Sequence, residues 1–61
     1  MTDQQFESAE FKQGDKVFYL GIFHEIEIVY FVNKKIGARS PEGKLVFRPI
    51  THLQHVKSTK N

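Results

Sequence analysis

The sequence predicts an all-β chain: five short strands curled into a small barrel, with a 3-10 turn before the last strand. Three observations predict it. Across Glu25-Ile26-Glu27-Ile28-Val29-Tyr30-Phe31-Val32 apolar residues recur at every second position, the period of a strand and not of a helix. β-branched and aromatic residues dominate the central segment, as a pleated, half-buried surface requires. Turn signals punctuate it at Gly14-Asp15, Ser40-Pro41-Glu42-Gly43 and Pro49, where glycine supplies positive φ and proline fixes φ and removes a donor. No segment carries a convincing helical period.

Each element follows from those signals. After Gly14-Asp15 the apolar stretch Val17-Phe18-Tyr19-Leu20 makes a first strand from Lys16 to Gly21,. The second strand is the alternating stretch from Glu25 to Val32, with Ile26, Ile28, Tyr30 and Val32 expected to face the core,. Asn33-Lys34 breaks it. Ile36, Ala38 and Ser40 then alternate with Lys35, Gly37 and Arg39 in a short third strand. Ser40-Pro41-Glu42-Gly43 joins it by a tight hairpin to a fourth strand, Lys44 to Arg48, with Leu45 and Phe47 expected inward,. Pro49 ends that strand, Pro49-Ile50-Thr51-His52-Leu53 suits one 3-10 turn, and Gln54-His55-Val56 closes the set,. The expected organisation is a flexible N-terminal segment over 1–11, a barrel over 12–57 and a disordered tail over 58–61.

A chain of 61 residues hides only about 60% of the surface it exposes when unfolded. That leaves room for one small core and none for a deep substrate cavity. The absence of cysteine removes disulfide and thiolate-metal frameworks and points to the cytoplasm. No apolar run spans a bilayer, and Met1-Thr2-Asp3-Gln4-Gln5 lacks the basic-then-apolar order of a signal peptide,.

The order of signals resembles the SH3-like small barrels, the superfamily that includes Tudor, KOW and related bacterial domains. Gly14-Asp15-Lys16-Val17 opens a strand, a long second strand follows, and a hairpin at Ser40-Pro41-Glu42-Gly43 precedes Pro49-Ile50-Thr51-His52-Leu53. The resemblance covers residues 12–57. It implies a module that binds peptides, modified side chains or nucleic acid or acts as an accessory subunit, because its motifs report turns and not chemistry; no cofactor and no small-molecule substrate are expected. The plasmid type of dihydrofolate reductase is an enzymatic relative whose site is built around a Val-Gln-Ile-Tyr-Pro strand. The matching stretch here is Leu45-Val46-Phe47-Arg48-Pro49, which puts Val46 for the glutamine and Arg48 for the tyrosine, so the residues for that reaction are missing. No Ser-His-Asp order, glycine-rich phosphate loop or paired-carboxylate motif suggests another enzyme.

Two surfaces stand out. Residues 1–33 hold two lysines against six acids, whereas residues 34–61 hold seven basic residues against Glu42 alone. Lys34, Lys35, Arg39, Lys44 and Arg48 are therefore candidates for nucleic-acid phosphates, with Lys35, Arg39, Lys44 and Arg48 projecting from the outer face of one hairpin. The bland alternative is a solvated face partly paired with Glu25 and Glu27. Second, strands one and two hold more large hydrophobes than one face can hide. Phe18, Leu20, Val29 and Phe31 are candidates for a protein-partner or self-association patch, unless Phe6 and Phe11 of the N-terminal segment cover them. Tyr19, Phe23, Tyr30 and Phe31 could stack bases or cage a methylated cation, although core packing is the simpler use for them. His24, His52 and His55 lack further ligands at a defined spacing, so no metal is assigned. The function expected is a non-catalytic interaction module, for nucleic acid or for protein.

Overall fold

The structure is a computed structural model and describes residues 1–57; the tail expected over 58–61 lies outside the described residues. The elements are α1 (Asp3–Ser8), β1 (Lys16–Tyr19), β2 (Ile22–Tyr30), β3 (Lys35–Arg39), β4 (Leu45–Pro49), a 3-10 turn (Ile50–His52) and β5 (Gln54–Val56). All five strands are antiparallel neighbours in one sheet of order β4-β3-β2-β1-β5. The 3-10 turn stands before the last strand as expected. Strands β4 and β5 lie at opposite edges and do not pair with each other, so hydrogen bonding does not close the sheet into a ring.

The helix is the first departure from the expectation. Thr2 caps it: its Oγ1 accepts the Gln5 N–H at 3.1 Å while Gln5 Oε1 accepts the Thr2 N–H at 2.9 Å. That reciprocal pair is the Thr-x-x-Gln capping box, legible in Thr2-Asp3-Gln4-Gln5 although too few apolar residues follow to set a period. Six residues do not hold a helix alone. Phe6 holds this one, fully buried against the sheet, a burial worth roughly 2 kcal/mol. The Met1 amino group donates to the carbonyls of Ile50 and Leu53, which ties the segment to the 3-10 turn.

The core lies on one face of the sheet, where Val17, Ile36 and Ala38 meet Phe6, Ile50 and Leu53. Met1, Phe11, Tyr19, Ile26 and Val29 pack around it. At its margin Asp15 is buried and its Oδ2 lies 2.9 Å from His55 Nε2 while accepting the Lys12 N–H at 3.0 Å, so the entry to β1 is tied to β5.

Two local irregularities decide which residues face that core, and both correct the expectation. Ile26 pairs with Ala38 but Ile28 pairs with Gly37, leaving Glu27 as an extra residue in a β-bulge. The bulge reverses the facing after it. Ile26 and Val29 therefore pack on the core, while Ile28 and Tyr30 turn outward and Val32, beyond the strand, is exposed. The second irregularity is in the hairpin. It closes between Ser40 and Lys44, with the Ser40 N–H donating to the Lys44 carbonyl at 2.9 Å and Gly43 at φ +89°. Its loop is the three residues Pro41, Glu42 and Gly43, so Val46 stands opposite Ala38 on the core side,. Leu45 and Phe47, expected inward, face out.

The β1–β2 connection is also tighter than the sequence reading. Tyr19 pairs with Ile22 across a two-residue turn with Leu20 at φ +51° and Gly21 at φ +78°, the positive-φ pair of a type I′ hairpin. β1 consequently stops at Tyr19, and β2 starts at Ile22 instead of Glu25.

Candidate interaction surface

The outer face of β2, β3 and β4 carries the apolar side chains that the two irregularities displace. Cross-strand register places Ile28, Gly37 and Phe47 in one row, Tyr30, Lys35 and Pro49 in the next, and Glu25, Arg39 and Leu45 on the other side. Ile28, Tyr30, Leu45 and Phe47 are 41%, 40%, 36% and 44% exposed. The Tyr30 and Phe47 rings stand 6.1 Å apart. Between them Gly37 has no side chain, and the Phe47 ring lies over its backbone: a Cβ there would come within 2.7 Å of Phe47 Cε1. An aromatic ring laid over a strand glycine restores packing to a position that otherwise has none.

Arg39 fixes the border of this face. Its Nε and Nη2 donate to the two carboxylate oxygens of Glu27 at 2.8 and 3.4 Å, and its Nη1 donates to the Gly43 carbonyl at 2.7 Å. One guanidinium thus grips the extra residue of the bulge and the last residue of the hairpin loop, a planar fork that lysine could not supply. The hydrogen bond from Arg39 holds the Glu27 carboxyl below the usual carboxylate range, and the same bond raises Arg39,.

The five basic candidates do not form one strip. Lys35 and Arg39 are on the outer face, whereas Arg48 stands opposite Ile36 on the core side and Lys44 flanks Val46 on that same side, because positions alternate along a strand. Lys34 sits in the β2–β3 turn at φ +54° and pairs with Asp3 at 2.9 Å; that hydrogen bond raises its pKa. The Arg48 guanidinium lies 5.2 Å over the Tyr19 ring, a cation–π contact. Lys34, Arg39 and Arg48 are each engaged within the chain.

The four apolar candidates are dispersed as well. Phe18 pairs with Phe23 on the outer side of the β1–β2 hairpin, rings 4.9 Å apart. Leu20 is at the hairpin tip, 80% exposed. Val29 packs against the core. Phe31 is exposed along one side, but its ring rests 5.5 Å from Phe6 and 6.2 Å from Phe11. Sequence reasoning turned Ile28, Tyr30, Leu45 and Phe47 toward the core, gave Tyr30 a second use as a ring for stacking or a cage, and named none of the four for a protein-partner surface. The signals it could have used are Gly43, whose place in a three-residue loop sets the facing of β4, and the unbroken apolar run Ile28-Val29-Tyr30-Phe31-Val32, which no single face can absorb.

Elsewhere a groove of about 460 Å³ lies between residues 11–14 and β2, lined by Phe11, Lys12, Glu25, Ile26, Glu27 and Val29 among others. His24 is buried, with Nδ1 3.0 Å from the Ile22 carbonyl; His52 is on the 3-10 turn. Among the described residues no three of His, Cys, Asp and Glu converge as metal ligands, and no helix is long and apolar enough to cross a membrane. Scanned against family models the chain matches none, and comparison with curated proteins and with solved structures finds no match. The chemistry this surface offers is non-covalent: apolar contact and ring stacking bordered by charge.

Proposed function

We propose that this chain is a small non-catalytic interaction module, an open variant of the SH3-like arrangement, that docks a protein partner on the outer face of β2, β3 and β4. One observation carries the reading. Ile28, Tyr30, Leu45 and Phe47 are gathered on a single solvent-facing patch by the bulge at Glu27 and by the three-residue hairpin loop. Monomers seldom leave contiguous apolar surface bare without a use for it. Covering about 300 Å² of such surface at about 25 cal/mol per Å² returns about 7.5 kcal/mol before the cost of association. The SH3-like element of the reading is supported by the strand order and by the 3-10 turn between β4 and β5.

A phosphate-binding function fits less well. Lys34 and Arg39 are paired with Asp3 and Glu27, Lys44 and Arg48 lie on the opposite face of the sheet from Lys35, and Glu25 shares the outer face with Lys35. Photo-cross-linking separates the two. With p-benzoylphenylalanine in place of Tyr30, irradiation in extract of the source cells gives nuclease-resistant protein adducts. Excess unmodified chain competes them away, and excess Ile28→Glu chain does not. Adducts that vanish with nuclease, or that form equally from a probe at Lys12, overturn the reading.

A further inference from the structure

The free edge of the sheet beside this face has a chemistry of its own. Strand β4 has β3 on one side and, among the described residues, no strand on the other. The Ser40 N–H donates to the Lys44 carbonyl and the Ile50 N–H to the Lys34 carbonyl at 3.0 Å, so even-numbered residues make the β3–β4 ladder. In an antiparallel pair successive residues turn their backbone groups to opposite sides. Leu45 and Phe47 therefore point their N–H and C=O groups outward, and Pro49 adds a carbonyl without a donor. The side chains alternate in the same register. Leu45 and Phe47 lie on the outer face, while Lys44 and Arg48 flank Val46 on the other. Among the described residues neither Lys44 nor Arg48 has a carboxylate partner.

We propose that the β4 edge takes up an extended segment of a partner protein as a sixth strand, a segment in which acidic residues alternate with apolar ones. The inference rests on the interaction reading above and adds the partner's chemistry. Backbone bonds at Leu45 and Phe47 supply affinity without regard to sequence, and the alternating pockets supply selection. Acidic side chains of the guest meet Lys44 and Arg48, and its apolar side chains extend the patch of Leu45, Phe47, Tyr30 and Ile28. Charge complementarity also disfavours a second copy. The register that pairs Leu45 with Phe47 of another copy sets Lys44 against that copy's Arg48, cation against cation, an arrangement that costs stability.

The test titrates the isotope-labelled chain with a blocked synthetic peptide alternating glutamate and valine, and with its lysine–valine counterpart. The glutamate peptide slows amide exchange at Leu45 and Phe47 by about tenfold or more and binds at least about tenfold tighter than the lysine peptide. Leu45→Pro removes an N–H that β3 does not use, and it abolishes the protection while leaving the fold's spectrum intact. Lys44→Glu with Arg48→Glu reverses the preference between the peptides. Unchanged exchange at Leu45 and Phe47, equal binding of the two peptides, or sedimentation showing that the edge is already occupied by a second copy overturns the proposal. Peptide-induced shifts at Ile28 and Tyr30 without protection at Leu45 and Phe47 overturn strand addition alone and leave the outer-face reading standing, which the cross-linking experiment decides separately.

Discussion

Phe47 and Gly37 are matched across the β3–β4 ladder so that the ring of one occupies the space the side chain of the other lacks, with a Cβ at Gly37 falling 2.7 Å from Phe47 Cε1 and 2.9 Å from Cδ1. The pairing holds Phe47 flat on the outer face and within reach of Tyr30. Because the ring is half exposed, it can turn aside, so a methyl group at Gly37 acts on the surface and hardly on the fold.

Gly37→Ala thus separates stability from surface shape. The alanine stiffens the unfolded chain, which favours folding by about 0.4–1 kcal/mol, and this offsets the packing lost by the ring. The net change in a denaturant melt stays within about 1 kcal/mol. Ring-to-ring nuclear Overhauser effects between Tyr30 and Phe47 disappear, and cross-linking from the outer face weakens. Retained Overhauser effects would show that the ring is not displaced.

At the β1–β2 turn, Leu20 holds φ +51° and is 80% exposed. Left-handed backbone costs an L residue with a bulky side chain roughly 1–2 kcal/mol, and asparagine carries much less of that cost. Leu20→Asn creates the preferred Asn-Gly pair and gives up little packing. The expected gain of about 1 kcal/mol corresponds to a Tm rise of roughly 4–8 °C for a domain of this size. A fall in Tm would mean that Leu20 makes apolar contacts which outweigh its backbone strain.

The Arg39–Glu27 pair predicts a pH dependence. Hydrogen bonding to Arg39 depresses the Glu27 pKa in the folded chain. A depressed carboxylate contributes stability that is present above its unfolded value and is lost as pH falls through the folded one. Both side chains are well exposed, so solvent screens the pair and its contribution is small. Carboxyl NMR read against pH places the Glu27 midpoint below those of carboxylates without a cationic partner, and Arg39→Gln returns it to the usual range. A midpoint unmoved by that substitution would sink the assignment.

The ladder's existence was legible in the chain, but its facing was not. Turn residues marked the strand breaks, and Pro49 placed the 3-10 turn that the structure contains. Facing depends on parity, and parity is reset by one residue. Glu27 is unremarkable in an alternating run, since a bulge is stabilised by its partner strand and by Arg39, twelve positions away. At Ser40-Pro41-Glu42-Gly43 the composition suits a two-residue and a three-residue loop alike, and only the Ser40–Lys44 closure decides. For the same reason the basic residues that looked like one strip divide between two faces. The short helix escaped notice because Phe6 acts through contacts spread along the chain from Val17 to Ile50 and Leu53, which no local period records,.

Glu27 and Gly43 function as punctuation read in space. Deleting either one leaves composition, charge pattern and strand propensities almost untouched, yet exchanges inside for outside along the whole neighbouring strand. A loss of three nucleotides at those codons would therefore act like a frameshift of the surface, whereas loss of a residue from the exposed Asn33 corner would be absorbed by the loop.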